Sequence, residues 1–221
     1  MEVMLDTNHE EVHFLDQQHA DLIEMLFQTG VVRYGHYKLP DGTHAGVGFS
    51  RRRLCRVKWA RETVAQGVAQ VASAKGDYQV VAGTGSSGLV FAKAVASAMG
   101  LPAVGIPRPY WPFQYKAGNG LSMRALEPFE GKRVLLVETV TVGYQGLLAL
   151  KHACGRAGAY IVAAIVLMAR VEIPPGLLRT ETQPDSPKLH VIFDGGLASL
   201  VWLEGNCQMC NVGTAPLRLV D

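Results

Sequence analysis

Short unbroken apolar runs alternate along this chain with longer stretches in which apolar residues recur every three or four positions. The first rhythm is that of strands buried on both faces and the second that of helices packed on one face. Their alternation predicts an open, mostly parallel α/β sheet flanked by helices. The strand candidates are Tyr78 to Ala82, Leu101 to Ile106, Arg133 to Val137, Tyr160 to Met168, Leu189 to Phe193 and Leu197 to Leu203. Helical spacing marks Glu10 to Phe27, closed by Gly30, and a second stretch with Trp59, Val64, Val68 and Val71 on one face. A third runs through Phe91, Val95 and Met99, and a fourth through Leu147, Leu148, Lys151 and His152. Val31 to Leu39 instead alternates apolar and polar before Pro40-Asp41-Gly42, a turn by its chemistry. Residues 1–50 therefore read as a helix and a small hood, and residues 51–221 as the sheet core with C-terminal strands and a tail.

Composition narrows this picture. A 221-residue chain with 48% hydrophobic content can bury a full core. Its 21 basic and 19 acidic residues leave a net charge of +2 with no long run of either sign. That argues against a nucleic-acid or membrane-surface footprint and leaves an anionic small ligand open. The start, MEVMLDTNHEEVHFLDQQ, is acidic and lacks the basic-then-apolar order of a secretory signal, and no apolar stretch approaches ~20 residues, so a cytoplasmic location is expected. Four cysteines, Cys55, Cys154, Cys207 and Cys210, are few for this length, and reduced thiols are expected.

Two strand-to-helix turns carry the candidate chemistry. The run Arg133 to Val137 ends on Glu138, and in open α/β sheets ligands bind outside the carboxyl ends of strands. Thr139, Val140, Thr141, Val142, Gly143, Tyr144 and Gln145 then turn into a helix whose first N–H groups and threonine hydroxyls suit a phosphate. An ordinary structural turn of a nucleotide-binding α/β protein would look similar. The other turn, Gly83-Thr84-Gly85-Ser86-Ser87-Gly88, opens the helix through Phe91 and lets backbone amides approach an anion closely. It lacks the Gly-Lys-[Ser/Thr] of a P-loop. Arg51-Arg52-Arg53 reads as a solvated helix start. Pro107 to about Phe129 shows no periodicity, as a lid or an insert would, and is rich in aromatics: Tyr110, Trp111, Phe113 and Tyr115 cover an apolar ligand or pack against a partner subunit.

Taken in order, these features resemble the type I phosphoribosyltransferases, and orotate phosphoribosyltransferases most of all, from about Phe27 to Leu217. Phe27, Gly30, Gly35, Tyr37, Leu39 and Gly42 match the hood that covers the base there, Gly83 and Gly88 the pyrophosphate loop, and Glu138 to Gln145 the ribose-5-phosphate loop. The resemblance implies that Thr84 to Ser87 take pyrophosphate, that Glu138 with Thr139 holds ribose hydroxyls or hydrated Mg²⁺, and that Thr141 to Gln145 take the 5-phosphate. It further implies that Arg108 and Lys116 lie in a mobile catalytic loop and that Arg170 holds the carboxylate of the base. Arg170 as a cap on a strand end is the plain alternative. Implied with these are a phosphorylated sugar and a base as ligands, Mg²⁺ as cofactor, and a homodimer whose loop reaches the neighbouring site. Four positions depart from the pattern: Thr139 for the second acid, Pro40 and Pro109 for lysines, and Ala169 for an aspartate. The expected activity is transfer of ribose 5-phosphate from phosphoribosyl pyrophosphate to orotate or an orotate-like pyrimidine. A non-catalytic regulator that binds phosphoribosyl pyrophosphate, or a transferase for another base, stays open.

The tail Cys207-Gln208-Met209-Cys210 has the C-x-x-C spacing of a zinc or redox pair. A closed zinc site needs four ligands and no second pair is spaced to join it, so no metal ligand is expected in the protein. Longer orotate phosphoribosyltransferases have a similar tail, which makes a structural use the expectation, with chelators leaving the fold intact.

Overall fold

The computed structural model describes residues 16–39, 42–106, 127–141, 144–170, 177–178, 187–193, 201–202 and 204–218. Five strands, β3 (Val80–Thr84), β4 (Ala103–Ile106), β5 (Arg133–Thr141), β6 (Tyr160–Ala169) and β7 (Lys188–Phe193), form a sheet in the order β4-β3-β5-β6-β7, and every pairing in it is parallel. Such a sheet needs helical crossovers on both faces. Its side chains accordingly divide into two apolar clusters. Val81, Leu135, Val137 and Ile165 pack with Val64 and Val68 of α3 (Lys58–Ser73) and Phe91 and Val95 of α4 (Gly85–Met99). Val80, Ala82, Val134 and Leu136 pack with Leu147, Leu150 and Ala153 of α5 (Gln145–Arg156) on the opposite face. Trp59, expected on the packed face of its helix, is 54% exposed: burial of α3 starts at Ala60 and Val64, one turn further in.

The hood is a second sheet. β1 (Val32–Lys38) and β2 (His44–Phe49) form an antiparallel hairpin, and α1 (Asp16–Gln28) precedes them. Two short C-terminal strands complete it in the order β8-β2-β1-β9, with β8 at Val201–Trp202 and β9 at Leu217–Arg218. The end of the chain thus belongs to the hood rather than to the parallel core. Val31, Val32, Val47 and Phe49 share an apolar cluster with Val137, Leu167, Met168 and Phe193, which seats the hood on the core. The arginine run opens α2 (Arg51–Arg56), where the Ser50 hydroxyl caps the helix by accepting from the Arg53 N–H at 3.2 Å, and Arg53 Nε donates to the Thr29 carbonyl at 2.5 Å. Arg53 is therefore a brace between α1 and α2. Among the described residues, no helix is long and apolar enough to cross a membrane.

Candidate active site

The strand order reverses between β3 and β5: from β3 the chain moves outward to β4 and then returns past it to β5. Crossovers leave on opposite faces at such a point and open a crevice at the carboxyl ends of the strands. Both turns singled out in the sequence lie there, since β3 ends at Thr84 and β5 carries Glu138 four residues past its register partner of Val80. The Thr84 hydroxyl donates to Glu138 Oε2 at 2.6 Å, and the Thr139 N–H donates to Oε1 at 3.1 Å. Thr84 and Glu138 are both buried. The carboxylate lies under the first turn of α5, where a Cβ on Gly146 would stand 2.3 Å from Oε2 and 3.1 Å from the Thr84 hydroxyl oxygen. Only a residue without a side chain leaves room for the acid at that helix end, and the helix dipole favours an anion there.

The Gly83–Gly88 turn is tighter than its composition suggests. A Cβ on Gly83 would meet the Gly88 carbonyl oxygen at 2.3 Å, so the strand end and the first turn of α4 are in backbone contact. α4 begins at Gly85, and Ser86 is exposed and Ser87 half-buried in its first turn. The unbonded amides of that turn face the crevice end of the sheet. The six residues also have the G-x-G-x-x-G spacing of a dinucleotide turn, but no Asp or Glu occurs between Gly88 and Glu127 to bind a ribose of such a cofactor.

Beyond β5, the Thr141 hydroxyl accepts from the Tyr144 N–H at 2.9 Å and closes the turn into α5. Tyr144, the residue before that helix, has φ +45°, a left-handed conformation that costs a non-glycine residue about 1–3 kcal/mol and is characteristic of functional turns. Thr139 does not join Glu138. Successive side chains of a strand point to opposite faces, and the Thr139 hydroxyl is fully buried with no hydrogen-bond partner among the described residues. Arg170 follows β6; its N–H donates to the Thr141 carbonyl and its Nη2 to the Val47 carbonyl in β2, both at 2.9 Å. Its buried guanidinium therefore spans the core edge and the hood. Arg108, Lys116, Val142 and Gly143 lie outside the described residues, as does the side chain of Gln145. A groove of about 550 Å³ lined by Arg61, Glu62 and Lys93 among others runs along the flank of α3 and α4, not at the strand ends.

The expectation of no metal ligands rested on the tail thiols having no partners, and the fold corrects it. The hairpin β1–β2 brings His36 and His44 to Cys207 and Cys210, and one ligand atom from each lies within 4.8 Å of all the others. Sequence spacing could not find them because the two pairs are about 170 residues apart, as the 171-residue separation of His36 and Cys207 shows. Cys154, by contrast, is packed inside the α5 face, and burial pushes its thiol up to about 12. Since the thiolate is the reactive form, iodoacetamide at neutral pH is expected to leave Cys154 unmodified in native protein and to alkylate it after denaturation. Peptide mass spectrometry reads both.

No family model matches the chain. It is 28% identical over 153 residues to an orotate phosphoribosyltransferase of Methanospirillum hungatei, covering 69% of this chain and 84% of that one. It is 26% identical over 171 residues to that of Thermococcus gammatolerans, covering 77% and 88%. The crystal structure of an orotate phosphoribosyltransferase from Aeropyrum pernix superposes with a TM-score of 0.57 at 23% identity, over 76% of this chain and 90% of that one.

Proposed function

We propose that this chain, which has the type I phosphoribosyltransferase fold and is similar to orotate phosphoribosyltransferases, transfers ribose 5-phosphate from phosphoribosyl pyrophosphate to orotate. The observation that carries this reading is the 2.6 Å contact between Thr84 and Glu138 at the point where the strand order reverses. It ties a turn suited to pyrophosphate to a strand end suited to a ribose phosphate, which is the spacing a sugar carrying phosphates at both ends requires.

In the reaction, a base nitrogen forms a bond to C1 of the sugar while the bond from C1 to pyrophosphate breaks. Positive charge builds on the ring and negative charge on the leaving group, so the protein's work is to position, to neutralise and to exclude water. The first-turn amides of α4, with Ser86 and Ser87, hold the leaving pyrophosphate. The turn from Thr141 to Gln145 and the amides of α5 hold the 5-phosphate. Glu138, held by Thr84, faces the sugar from beneath α5. The hood closes over the base, with Arg170 fixing the closure through Val47. A lone carboxylate on this edge fits a hard cation that keeps its waters and is carried mainly by substrate phosphates. Mg²⁺ held there by Glu138 would cancel charge on the pyrophosphate. The loop with Arg108 and Lys116 completes the site from a second copy of the chain.

Pyrophosphate release from phosphoribosyl pyrophosphate, Mg²⁺ and orotate, compared with a panel of other bases, tests the proposal. Orotate-dependent release is expected; release with another base alone would reassign the acceptor. A non-catalytic binding role draws support from Thr139, whose hydroxyl occupies the place of an acid without a partner. Tight binding of phosphoribosyl pyrophosphate with no release for any base would decide for it. Mixing Lys116→Ala chains with Glu138→Gln chains tests shared sites: part of the activity returns if each site draws on both chains, and none returns if each chain serves itself.

A further inference from the structure

We propose that His36, His44, Cys207 and Cys210 form a structural zinc site that staples the C-terminal tail to the hood. The ligands come from the two ends of the chain. In the hairpin, His44 pairs with Lys38, and His36 lies two residues before Lys38 on the same face, so the two imidazoles are diagonal neighbours across the strands. Cys207 precedes the short helix α6 (Gln208–Asn211) and Cys210 lies within it, a three-residue spacing that turns both thiols to one side. The four residues are not joined by any disulfide, and His36, His44 and Cys207 are at most 2% exposed.

The donor atoms converge. His36 Nε2 lies 2.9 Å from His44 Nδ1, 3.3 Å from Cys207 Sγ and 3.6 Å from Cys210 Sγ, and Cys210 Sγ lies 3.2 Å from His44 Nδ1. With Zn–N bonds of about 2.0–2.1 Å and Zn–S bonds of about 2.3 Å, neighbouring ligand atoms of a tetrahedron stand roughly 3.3–3.8 Å apart. The four close pairs need adjust by only a few tenths of an ångström to hold the ion. The tautomer of His36 is fixed independently. Its Nδ1 lies 2.7 Å from the Thr214 carbonyl oxygen, which can only accept, so Nδ1 carries the proton and Nε2 turns its lone pair toward the thiols. A metal-bound histidine orients in this way, through a hydrogen bond from its other nitrogen. His44 Nε2 is buried with no hydrogen-bond partner among the described residues, so no polar contact of that atom accounts for where the ring sits.

Two thiolates and two imidazoles in a closed set select zinc over magnesium, calcium or manganese, and four protein ligands leave no open position for chemistry. The ion's place is structural. α6 lies just before β9, and the site holds it against the hairpin that β9 extends.

Elemental analysis of protein expressed with zinc and desalted is expected to give about one zinc per chain, with Cys207→Ser and Cys210→Ser each losing most of it. Titration of metal-depleted wild-type protein with cobalt(II) is expected to produce the intense visible bands of a tetrahedral site and a thiolate charge-transfer band, both bleached by one equivalent of zinc. This readout does not depend on the variants folding. Hydrogen exchange after chelation is expected to lose protection in β1 and β2 while β3, β5 and β6 keep theirs. Folded wild-type protein with no zinc and no tetrahedral cobalt spectrum would overturn the proposal, as would stoichiometric iron in place of zinc. None of these measurements depends on which reaction the protein catalyses.

Discussion

Replacing Glu138 by glutamine is expected to lower orotate-dependent pyrophosphate release by at least about 100-fold. One charge-assisted contact is worth about 1.5–3 kcal/mol, and each 1.4 kcal/mol is a factor of ten in rate. The buried Thr84 hydroxyl keeps an acceptor in this variant, so the fold should hold while the charge is gone. Gly146→Ala should fall by a similar factor with Glu138 still present, because its Cβ would occupy space 2.3 Å from Oε2 and displace the carboxylate. Gly155→Ala in the same helix, where a Cβ meets nothing within 4 Å, should leave the rate unchanged. Steady-state kinetics on the three variants, with circular dichroism to confirm folding, decides the matter. Wild-type rates in Glu138→Gln would remove that residue from the site.

Gly83→Ala is expected to cost about 2–4 kcal/mol of stability, the largest loss from adding one methyl group to the core. The obstacle is the Gly88 carbonyl, 2.3 Å from the added Cβ at its oxygen and 2.7 Å at its carbon, with the Ala92 Cβ at 3.0 Å. A backbone group cannot rotate out of the way as the end of a side chain would. Either β3 or the first turn of α4 must shift, and both hold the crevice. Urea unfolding should show a lower midpoint with an unchanged slope. Gly155→Ala, at an exposed helical position, should be neutral or gain up to about 1 kcal/mol. A wild-type midpoint for Gly83→Ala would refute the close contact.

The parallel core was legible in the sequence because its information is local. Val134 to Val137, Tyr160 to Met168 and the glycines after β3 each announce a buried strand or its turn within a few residues, and the observed strands overlap the expected ones. Glu138 was legible for the same reason, as the charge that ends an apolar run. The separation of Thr139 from Glu138 follows from strand alternation, which extends through Thr141 because β5 runs four residues past the apolar run. What could not be read was pairing between distant segments. His36 and His44 sit in an alternating strand as unremarkable polar positions, and only the return of Cys207 and Cys210 gives them a chemistry. Trp59 misled because helical spacing defines a stripe without saying where along it the partner surface begins.

The register that sets Tyr37 and Lys38 beside Leu217 and Arg218 also imposes an order of events in time. At a synthesis rate of about 5–20 residues per second, roughly 10–40 s separate the emergence of β1 from that of β9. During that interval all five strands of the parallel sheet leave the ribosome and can close on one another, whereas β1 and β2 wait with an outer edge open on each side. Open edges are where strands from other chains add. The nascent hood is thus the part of the molecule most in need of a chaperone, and the last residues to be made are the ones that end the risk.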